Sequence, residues 1–560
     1  MRRNLDSGRS INPVACAALF LLTGLWLLCL GPLTPPASAA EPTGCHKNTP
    51  PIIRDGFPTP QLRYSRNGRL TTSMTAAIGP TKIDGKRVRA WTYDGQFPGP
   101  MLMICAGDRL KIHFKNGLPA PTNFHTHGFH VSPRANHDNV YLLLRAGKKF
   151  TYEYKIPHTN RPGTFWYHPH WHPDVSSQIF AGMAGGIIEE GGLDRLPELR
   201  NVPQRFLVLQ NTEVKNGRIV PEDKSNAADQ RVHVNGHRNP TAKIRPGELQ
   251  RWRIFNANAN RVMVLKMDGL PFRVLSQDGN TLGRSRVVHK LEIGPGSRRE
   301  VLIRGPKAGK YTLRAVPFRQ FAGANDPKKG GWVPNQKLVT LKSAGSRVTG
   351  ERAPRKLLAT QPDLRNETVD RKRTIVYSED QVSKTKTDYL LNGHMYDPNR
   401  VITMKMNSLE EWKLVNDTAE WHTFHIHINE FQVISVAGRP QPYVDYEDNV
   451  MIPPGQTVVV RTRPTQFSGK FVFHCHVTFH EDNGMMAAVQ VKRNPTAAEL
   501  AASVETDGPM TIASNDHGSD AEPRLAAVPT ASVAPRPSPW STGTAGHGSS
   551  LFCRLGSRKT

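Results

Sequence analysis

The sequence predicts an all-β protein of three β-sandwich domains, and two observations lead to that prediction. The 560 residues include 46 Gly and 45 Pro, which favours many turns over long helices. A pattern of short, alternating strands also occurs three times, with first strands that read GDRLKIHFKN, GELQRWRIFN and LEEWKLVN. Strands of this kind, separated by Gly- and Pro-containing turns, are typical of Greek-key β-sandwiches. Apolar residues make up 38% of the chain, which excludes a wholly disordered protein.

The boundaries of the domains follow from the repeats. We predict the first domain over residues 59–194, the second over 202–317 and the third over 374–493. Residues 318–373 form a predicted connector with an excess of Lys and Arg. Beyond the third domain the chain is rich in Ala, Ser, Pro and Gly and only weakly periodic, so residues 494–560 are predicted to be a disordered tail.

Residues 1–40 predict an N-terminal export signal. Arg2 and Arg3 supply a positive end, residues 13–30 form an apolar run, and residues 37–40 form a small-residue cleavage site. A single membrane anchor is the alternative, but the apolar run is short for a bilayer span and prolines follow it. The arginine pair is also similar to a twin-arginine signal. We therefore expect an exported protein, secreted or periplasmic, whose mature form lacks this segment.

Four cysteines lie outside the signal, namely Cys45, Cys105, Cys475 and Cys553. So few cysteines in a chain of this length exclude a disulfide-based scaffold. In an oxidising compartment Cys45 and Cys105 either form one disulfide or remain two thiols, and the sequence leaves both possibilities open. Cys475 lies between two histidines, which argues against a structural disulfide there.

The chain is strongly basic. It has 74 Lys and Arg against 47 Asp and Glu, a formal net charge of +27 and a pI near 10. Such a balance suits a nucleic-acid binder, a cell-surface binder or an enzyme for anionic substrates. Because no nucleic-acid-binding motif accompanies the charge, we expect no nucleic-acid partner. We expect instead that the positive charge favours electrostatic contact with an anionic cell-wall polymer or attracts anionic substrates.

Four His-x-His pairs stand out among the 22 histidines. Residues i and i+2 of a strand point to the same face, about 6.5–7 Å apart, so each pair presents two imidazoles side by side. Eight imidazoles that converge from four strands suit a cluster of several metal ions. The first domain and the third domain hold two pairs each: His125 and His127, His168 and His170, His425 and His427, His474 and His476.

A second metal site is predicted around Cys475. Because its two histidine neighbours face the cluster, the side chain of Cys475 points the opposite way and needs a separate partner. His480 and Met485 follow it closely, and His422 stands near the third pair. Two histidines and a cysteine with a weak axial methionine are the ligand set of a blue-copper electron-transfer centre. Cys475 would connect such a centre covalently to the cluster.

Eight further histidines are interpreted as ordinary side chains without a ligand role. His172 extends the second pair to HPHWH, but it follows the predicted strand and is left out of the ligand set. The others are His113, His130, His137, His233, His237, His289 and His394.

These motifs make the chain similar to a known family. It resembles the three-domain multicopper oxidases, which include laccases, bilirubin oxidases, spore-coat oxidases and copper-efflux oxidases. The resemblance covers residues 59–493 and rests on HTHG, WYHPH, HTFHIH and HCHVTFHEDNGMM, together with the turn DGQFPGP. It implies cupredoxin-like sandwiches, a copper cluster between the first and third domains, and four copper ions per chain.

The resemblance also implies a place for each ligand. A type 1 copper would be held by His422, Cys475, His480 and, axially, Met485, with Met486 as the weaker axial candidate. A type 2 copper would be held by His125 and His425. Two type 3 coppers would share His127, His168, His170, His427, His474 and His476. Because all ligand positions are filled, the copper-free members of the family are a poor match.

The mechanism implied by the family assigns further roles. Electrons from a reducing substrate enter singly at the type 1 copper, through His422 or His480 at the surface, and pass inward through Cys475. The other three coppers reduce O2 to water. Glu481 matches a proton-donating acid of similar bacterial oxidases, and Asp138 matches an outer-sphere acid beside the type 2 copper.

The reducing substrate is not fixed by these motifs. The favoured activity is oxidation of phenols, aryl amines or metal ions. A cuprous oxidase for copper tolerance is the alternative, although no Met-rich insert is visible among the 14 methionines. A copper nitrite reductase would lack the full set of His pairs, and a non-enzymatic copper carrier would need no cluster joined to a type 1 site.

Overall fold

Six large sheets, arranged as three pairs, account for most of the regular structure. The computed structural model describes residues 46–47, 49–321, 331–383 and 386–502. Each pair combines a six-stranded sheet with a five-stranded sheet, and a buried apolar core lies between the two sheets of each pair. The prediction of an all-β chain of three sandwiches is confirmed.

Several predictions concern residues that lie outside the described part of the chain. These are the export signal, the tail beyond residue 502, and one half of the proposed disulfide. Cys105 is disulfide-bonded, but Cys45, the partner considered from the sequence, is not among the described residues. Cys475 is a free, buried cysteine.

The first sandwich contains two of the histidine pairs. Its five-stranded sheet has the order β1-β4-β9-β8-β6, and its six-stranded sheet has the order β11-β12-β3-β2-β5-β7. The strands are β1 (Leu62–Tyr64), β2 (Arg69–Ile83), β3 (Lys86–Tyr93), β4 (Met101–Cys105), β5 (Arg109–Gly117), β6 (His125–His127), β7 (Lys149–Lys155), β8 (Thr164–His168), β9 (Gly185–Glu190), β11 (Val214–Lys215) and β12 (Arg218–Ile219). The hairpin of β11 and β12 comes from the second domain by sequence.

The second sandwich extends beyond its predicted end at Pro317. Its strands are β10 (Gln204–Thr212), β13 (Arg231–Val234), β14 (Thr241–Ile244), β15 (Leu249–Asn256), β16 (Met263–Met267), β17 (Phe272–Gln277), β18 (Asn280–Val288), β19 (Leu291–Ile293), β20 (Arg298–Arg304), β21 (Gly309–Ala315) and β24 (Gln336–Ser343). Since β24 is paired with both β14 and β21, the first part of the predicted connector belongs to this domain. A small ribbon of β22 (Phe318–Arg319) and β23 (Trp332–Val333) precedes it.

The third sandwich begins three residues before its predicted start. Its strands are β25 (Arg371–Ser383), β26 (Lys386–Leu391), β27 (Val401–Lys405), β28 (Glu410–Asn416), β29 (His422–Ile426), β30 (Phe431–Val436), β31 (Arg439–Pro440), β32 (Asn449–Ile452), β33 (Thr457–Thr462), β34 (Gly469–Cys475) and β35 (Met486–Lys492). β29 lies between β32 and β34 in the five-stranded sheet.

Helices are few and short. They are α1 (Val175–Phe180), α2 (Thr478–Asp482) and α3 (Ala497–Ala502), with 3-10 turns at Gly192–Arg195, Glu222–Lys224 and Leu364–Asn366. α3 corrects the prediction that the disordered tail starts at residue 494, because Ala and Glu at this point favour a helix. Within the described ranges, no helix has the length and apolar character needed to cross a membrane.

Strand pairing brings the histidines together. β6 runs antiparallel to β8, so that His125 lies opposite His168. β29 runs antiparallel to β34, so that His425 lies opposite His474, and Phe424 lies opposite Cys475. Each sheet therefore presents two histidine pairs side by side at strand ends.

Candidate metal centre

All eight histidines of the four pairs meet in one buried cluster, formed by the first and third domains together. Each of these residues is no more than 1% exposed. His127 stacks on His425 with ring centroids 3.8 Å apart, and His125 stacks on His427 at 4.1 Å. Because rings of the two domains stack on each other, neither domain alone forms the cluster.

Ring nitrogens point at one another inside the cluster. His127 Nδ1 lies 3.1 Å from His476 Nε2. His474 Nε2 lies 3.2 Å from His170 Nε2 and 3.3 Å from His427 Nε2. Donor atoms within 4.8 Å of one another form several sets of three, among them His127, His168 and His476, and His125, His170 and His427.

Three further ring nitrogens bear on the question whether metal ions fit this cluster. Nε2 of His125, His168 and His425 is buried and has no hydrogen-bond partner among the described residues. A buried polar group without a partner costs about 1–3 kcal/mol, so such groups call for an explanation such as a bound ion. Imidazole nitrogens are good ligands for copper, zinc and iron. The residues present therefore fit a cluster of metal ions.

Burial and mutual repulsion favour the metal-binding form of six rings in the cluster. Burial, and then the neighbouring histidines, hold the pKa of five rings well below the usual value: His127, His168, His170, His425 and His427. Burial and His474 lower the pKa of His476 to about 3. A neutral imidazole is the form that binds a metal ion, so protons do not compete for these sites at neutral pH.

Three ring nitrogens, one each from His125, His127 and His425, are hydrogen-bonded to an aspartate beside the cluster. Asp138 accepts a hydrogen bond from His125 Nδ1 at 2.9 Å. The backbone oxygen of Asp448 accepts one from His425 Nδ1 at 2.7 Å, and its carboxylate accepts one from His127 Nε2 at 3.2 Å. Partners of this kind set the tautomer and orientation of a metal-binding histidine. The sequence indicated Asp138 but missed Asp448, which no local motif marks.

Glu481 lies at the edge of the cluster and is fully buried. Its carboxylate oxygens are 3.0 Å from His474 Nδ1 and 3.4 Å from His170 Nε2. Although burial raises the pKa of this carboxyl, the facing histidines hold it well below its usual range. The structure therefore brings Glu481 into contact with one ligand from each of two domains.

His172, which the sequence analysis left without a role, contacts Glu481. Its Nε2 lies 3.0 Å from Glu481 Oε1, and its Nδ1 lies 3.2 Å from Asp482 Oδ1. Its side chain is 20% exposed, so it connects the buried carboxylate to the surface. The HPHWH spacing was the one sequence feature that marked His172. It pointed to a possible metal ligand, not to a contact with an acidic side chain.

The second site is built around Cys475. Its Sγ lies 3.6 Å from His422 Nδ1 and 3.7 Å from His480 Nδ1, and these two nitrogens are 3.1 Å apart. A tetrahedral ion with zinc-like bonds of about 2.0–2.1 Å to nitrogen and 2.3 Å to sulfur would hold such donors roughly 3.4–3.6 Å apart. The three side chains therefore fit one ion.

The methionine near this site is Met485. It is fully buried in the same apolar core as Cys475, and its backbone oxygen accepts a hydrogen bond from the Cys475 N–H at 3.0 Å. Met486 packs instead against Val140 and Val472 in a separate cluster. This packing favours Met485 over Met486 as the axial candidate.

The surroundings of the two site histidines correct one expectation. Neither ring is openly exposed, since His422 is 0% and His480 is 6% exposed. Thr418 Oγ1 lies 2.8 Å from His422 Nε2. Tyr389 stacks on His480 with centroids 4.2 Å apart, and Glu420 lies 2.9 Å from its Nε2. His480 is therefore the less buried of the two rings, and Tyr389 and Glu420 lie against it.

The two sites share one strand end. Sγ of Cys475 faces its own pair of histidines, while the neighbouring His474 and His476 take part in the eight-histidine cluster. This alternation of faces is the one expected for consecutive strand residues. Cys475 therefore links its own site covalently to the histidine cluster, through its peptide bonds to His474 and His476.

Three sandwiches with a multinuclear histidine cluster and a linked Cys-His site define a metal-dependent redox enzyme. Family models described as multicopper oxidase match residues 75–191, 161–330 and 364–495. The chain belongs to the multicopper oxidase family and is an oxidoreductase. The family is copper-dependent and uses O2 with small-molecule or metal substrates.

Named relatives cover most of the chain. A multicopper oxidase of Staphylococcus aureus is 26% identical over 445 residues, which span 77% of this chain and 90% of that protein. The cell division protein FtsP of Photorhabdus laumondii is 28% identical over 76% of this chain and 90% of its own length. A laccase of Bacillus stratosphericus is 23% identical over 74% and 91%.

A solved structure has the same fold. It is a multicopper oxidase from Campylobacter jejuni described as a metallo-oxidase, with 25% identity and a TM-score of 0.66. The match covers 80% of this chain and 98% of that one. The structural neighbours are cupredoxin-like multicopper oxidases, which is the fold that the resemblance implied.

Proposed function

We propose that this protein is an exported, laccase-like oxidase with four copper ions per chain. It takes electrons one at a time from phenols, aryl amines or metal ions and transfers them to O2, which is reduced to water. The observation that carries the proposal is the position of Cys475, whose sulfur contacts two histidines while its neighbours join the eight-histidine cluster.

The residues divide between the copper sites as follows. One type 1 ion would be held by His422, Cys475, His480 and Met485. One type 2 ion would be held by His125 and His425, and two type 3 ions by His127, His168, His170, His427, His474 and His476. Copper in these sites would supply one-electron oxidation at the first site and four-electron reduction of O2 at the cluster.

Protons consumed at the cluster would be delivered by acids of this chain. Glu481 is buried against His170 and His474 and also contacts the partly exposed His172. We assign to Glu481 the transfer of protons from this histidine toward the cluster, and general acids of this kind typically contribute 10²–10⁴-fold to a rate. Asp138 would orient His125 by accepting a hydrogen bond from its Nδ1–H.

The substrate would donate its electrons beside His480. Glu420 and Tyr389 cover this ring, and Phe479, one residue before it, is 48% exposed. An exposed aromatic side chain offers a contact for planar organic substrates. This arrangement supports the oxidation of phenols and aryl amines.

Oxidation of cuprous or other metal ions is the second candidate, and one observation favours it. The carboxylate of Glu420, 24% exposed, touches His480 Nε2 at 2.9 Å. An acidic group in contact with a type 1 ligand attracts cations. Glu420→Gln separates the candidates: metal-ion oxidation should fall several-fold while phenol oxidation keeps its rate, and equal effects on both would remove the second candidate.

Oxygen uptake by purified, copper-loaded protein tests the proposed function. The panel contains a phenol, an aryl amine, bilirubin, Mn(II), Fe(II) and Cu(I). We expect four coppers per chain, a blue absorption band and O2 consumption with at least one donor. Cys475→Ser should lose the blue band and the O2 consumption together. Fully loaded, blue protein that consumes no O2 with any donor would instead support a non-enzymatic role.

A further inference from the structure

The five-stranded sheet of the second domain carries two rows of cations on its solvent face. Strand pairing places three residues directly opposite one another in each row. The first row consists of Lys243 on β14, Lys342 on β24 and Lys310 on β21. The second row consists of Lys337 on β24, Arg314 on β21 and Lys266 on β16. We call these six residues the cationic face.

The side chains of the cationic face point away from the core. All five lysines are exposed and Arg314 is half-buried. Their strand neighbours Ile244, Leu341 and Leu313 are buried in the core of the second domain. Strands are about 4.8 Å apart and residues rise about 3.3 Å along a strand, so the rows are roughly 13 Å apart.

A row of threonines separates the two cationic rows. Thr241, Thr340 and Thr312 lie opposite one another on β14, β24 and β21. Their hydroxyl groups are hydrogen-bond donors and acceptors. The face is thus polar, with charge on both sides of an uncharged strip.

Directly opposed like charges destabilise a sheet, and this sheet contains four such juxtapositions. Within the described residues, Asp268 is the acid that compensates the face, through its ion pair with Arg314. The five lysines form no ion pair with any described residue. A feature that costs stability in the folded protein, and that packing does not require, points to a binding role.

We propose that the cationic face binds a linear phosphodiester polymer of the cell envelope, with the chemistry of poly(glycerol phosphate). Lysine binds phosphate as a point charge with three donors, and the threonine hydroxyls lie between the rows to contact phosphate or polyol oxygens. A flexible chain can lie along such an exposed face without a pocket. The inference goes beyond the oxidase activity, rests on the proposed export, and concerns a domain to which no copper ligand is assigned.

Binding of the copper-loaded protein to immobilised poly(glycerol phosphate), measured against salt concentration, tests the inference. The test variant combines Lys243→Gln, Lys310→Gln and Lys342→Gln. The control variant removes the same charge from exposed positions of the third domain, by Lys372→Gln, Lys386→Gln and Lys413→Gln. If each phosphate contact contributes about 0.7 to the slope of log affinity against log salt, as for single-stranded nucleic acids, the test variant should lose about 2 from that slope.

The control variant decides between a defined surface and overall charge. We expect it to keep the salt slope of the unmodified protein, and all three proteins to keep the same copper content and blue absorption. Equal losses in test and control variants would overturn the proposal, as would absence of binding at low salt. Retention of single-stranded DNA without retention of the polymer would also overturn it. None of these outcomes depends on oxidase activity, so the two proposals fail independently.

Discussion

The guanidinium of Arg298 forms a two-pronged ion pair with the carboxylate of Asp448, at N–O distances of 2.8 and 2.6 Å. Arg298 belongs to the second domain and Asp448 to the third. The same carboxylate accepts a hydrogen bond from His127 of the first domain. A domain that supplies no histidine to the cluster therefore orients a carboxylate that supports it.

Arg298→Met should damage the cluster and spare the type 1 site. Removing one partner of a buried ion pair costs about 3–5 kcal/mol, so the free energy of unfolding should fall by that order. Asp448 would lose its orientation, and the type 2 electron paramagnetic resonance signal and copper content should drop while the blue absorption remains. Arg304→Met, an exposed position on the same strand, is the control. Full copper content in Arg298→Met would contradict this role.

Gly296 lies in the wall of the histidine cluster, where the absence of a side chain leaves room for two of the rings. Its φ is +87°, and a Cβ at this position would lie 2.9 Å from His476 Cδ2 and 3.0 Å from His127 Cε1. Gly296→Ala should therefore displace both rings and lower the copper content by at least one ion per chain. Gly269→Ala is the matched control, because its φ is +73° but no atom lies within 4 Å of the added carbon. Both variants carry the backbone cost of about 1–2 kcal/mol; only the first should lose copper.

Glu481→Gln should slow O2 reduction by about tenfold or more. The amide cannot donate and regain a proton, whereas its size and its contacts with His170 and His474 are nearly preserved. The blue absorption, and its bleaching by substrate without O2, should stay the same because the side chain of Glu481 forms no hydrogen bond or ion pair with Cys475, His422 or His480 in the described structure. An unchanged rate of O2 consumption in steady state would rule out the proton-transfer role.

Much of the site could be predicted because its signals are local in sequence. A His-x-His pair needs only strand periodicity to place two imidazoles on one face, and the same periodicity turns Cys475 away from its neighbours. The three repeats likewise predicted the three sandwiches. These inferences concern only a few neighbouring residues, whose side-chain directions are determined by the local geometry of the strand.

Contacts between distant segments were beyond the reach of such patterns. Arg298 and Asp448 are 150 positions apart, and no motif connects them. His172 was visible in the sequence, but its partner Glu481 comes from another domain. The end of the second domain was placed too early because lysines concealed the alternation of β24, whose apolar members face the core. Stacking of Tyr377 on His422 was also a tertiary effect.

The buried acid Glu189 should make the stability of the protein depend on pH. It is 1% exposed, its Oε1 has no hydrogen-bond partner among the described residues, and burial raises its pKa from 4.5 to about 8. An acid whose pKa is higher in the folded state binds more protons there than in the unfolded state. Its contribution to stability is therefore full below about pH 4.5 and is lost as the pH rises to about 8.

Glu189→Gln tests this dependence, because the amide stays neutral at every pH. Melting temperatures of the variant and the unmodified protein should agree near pH 4.5 and diverge as the pH rises. At pH 8 to 9 the variant should be more stable by a few degrees or more, since each unit of pKa shift corresponds to about 1.4 kcal/mol. Glu198→Gln, at an exposed position nine residues further along the chain, should show no such divergence. A constant difference between Glu189→Gln and the unmodified protein across this range would show that the carboxyl is ionised in the folded state.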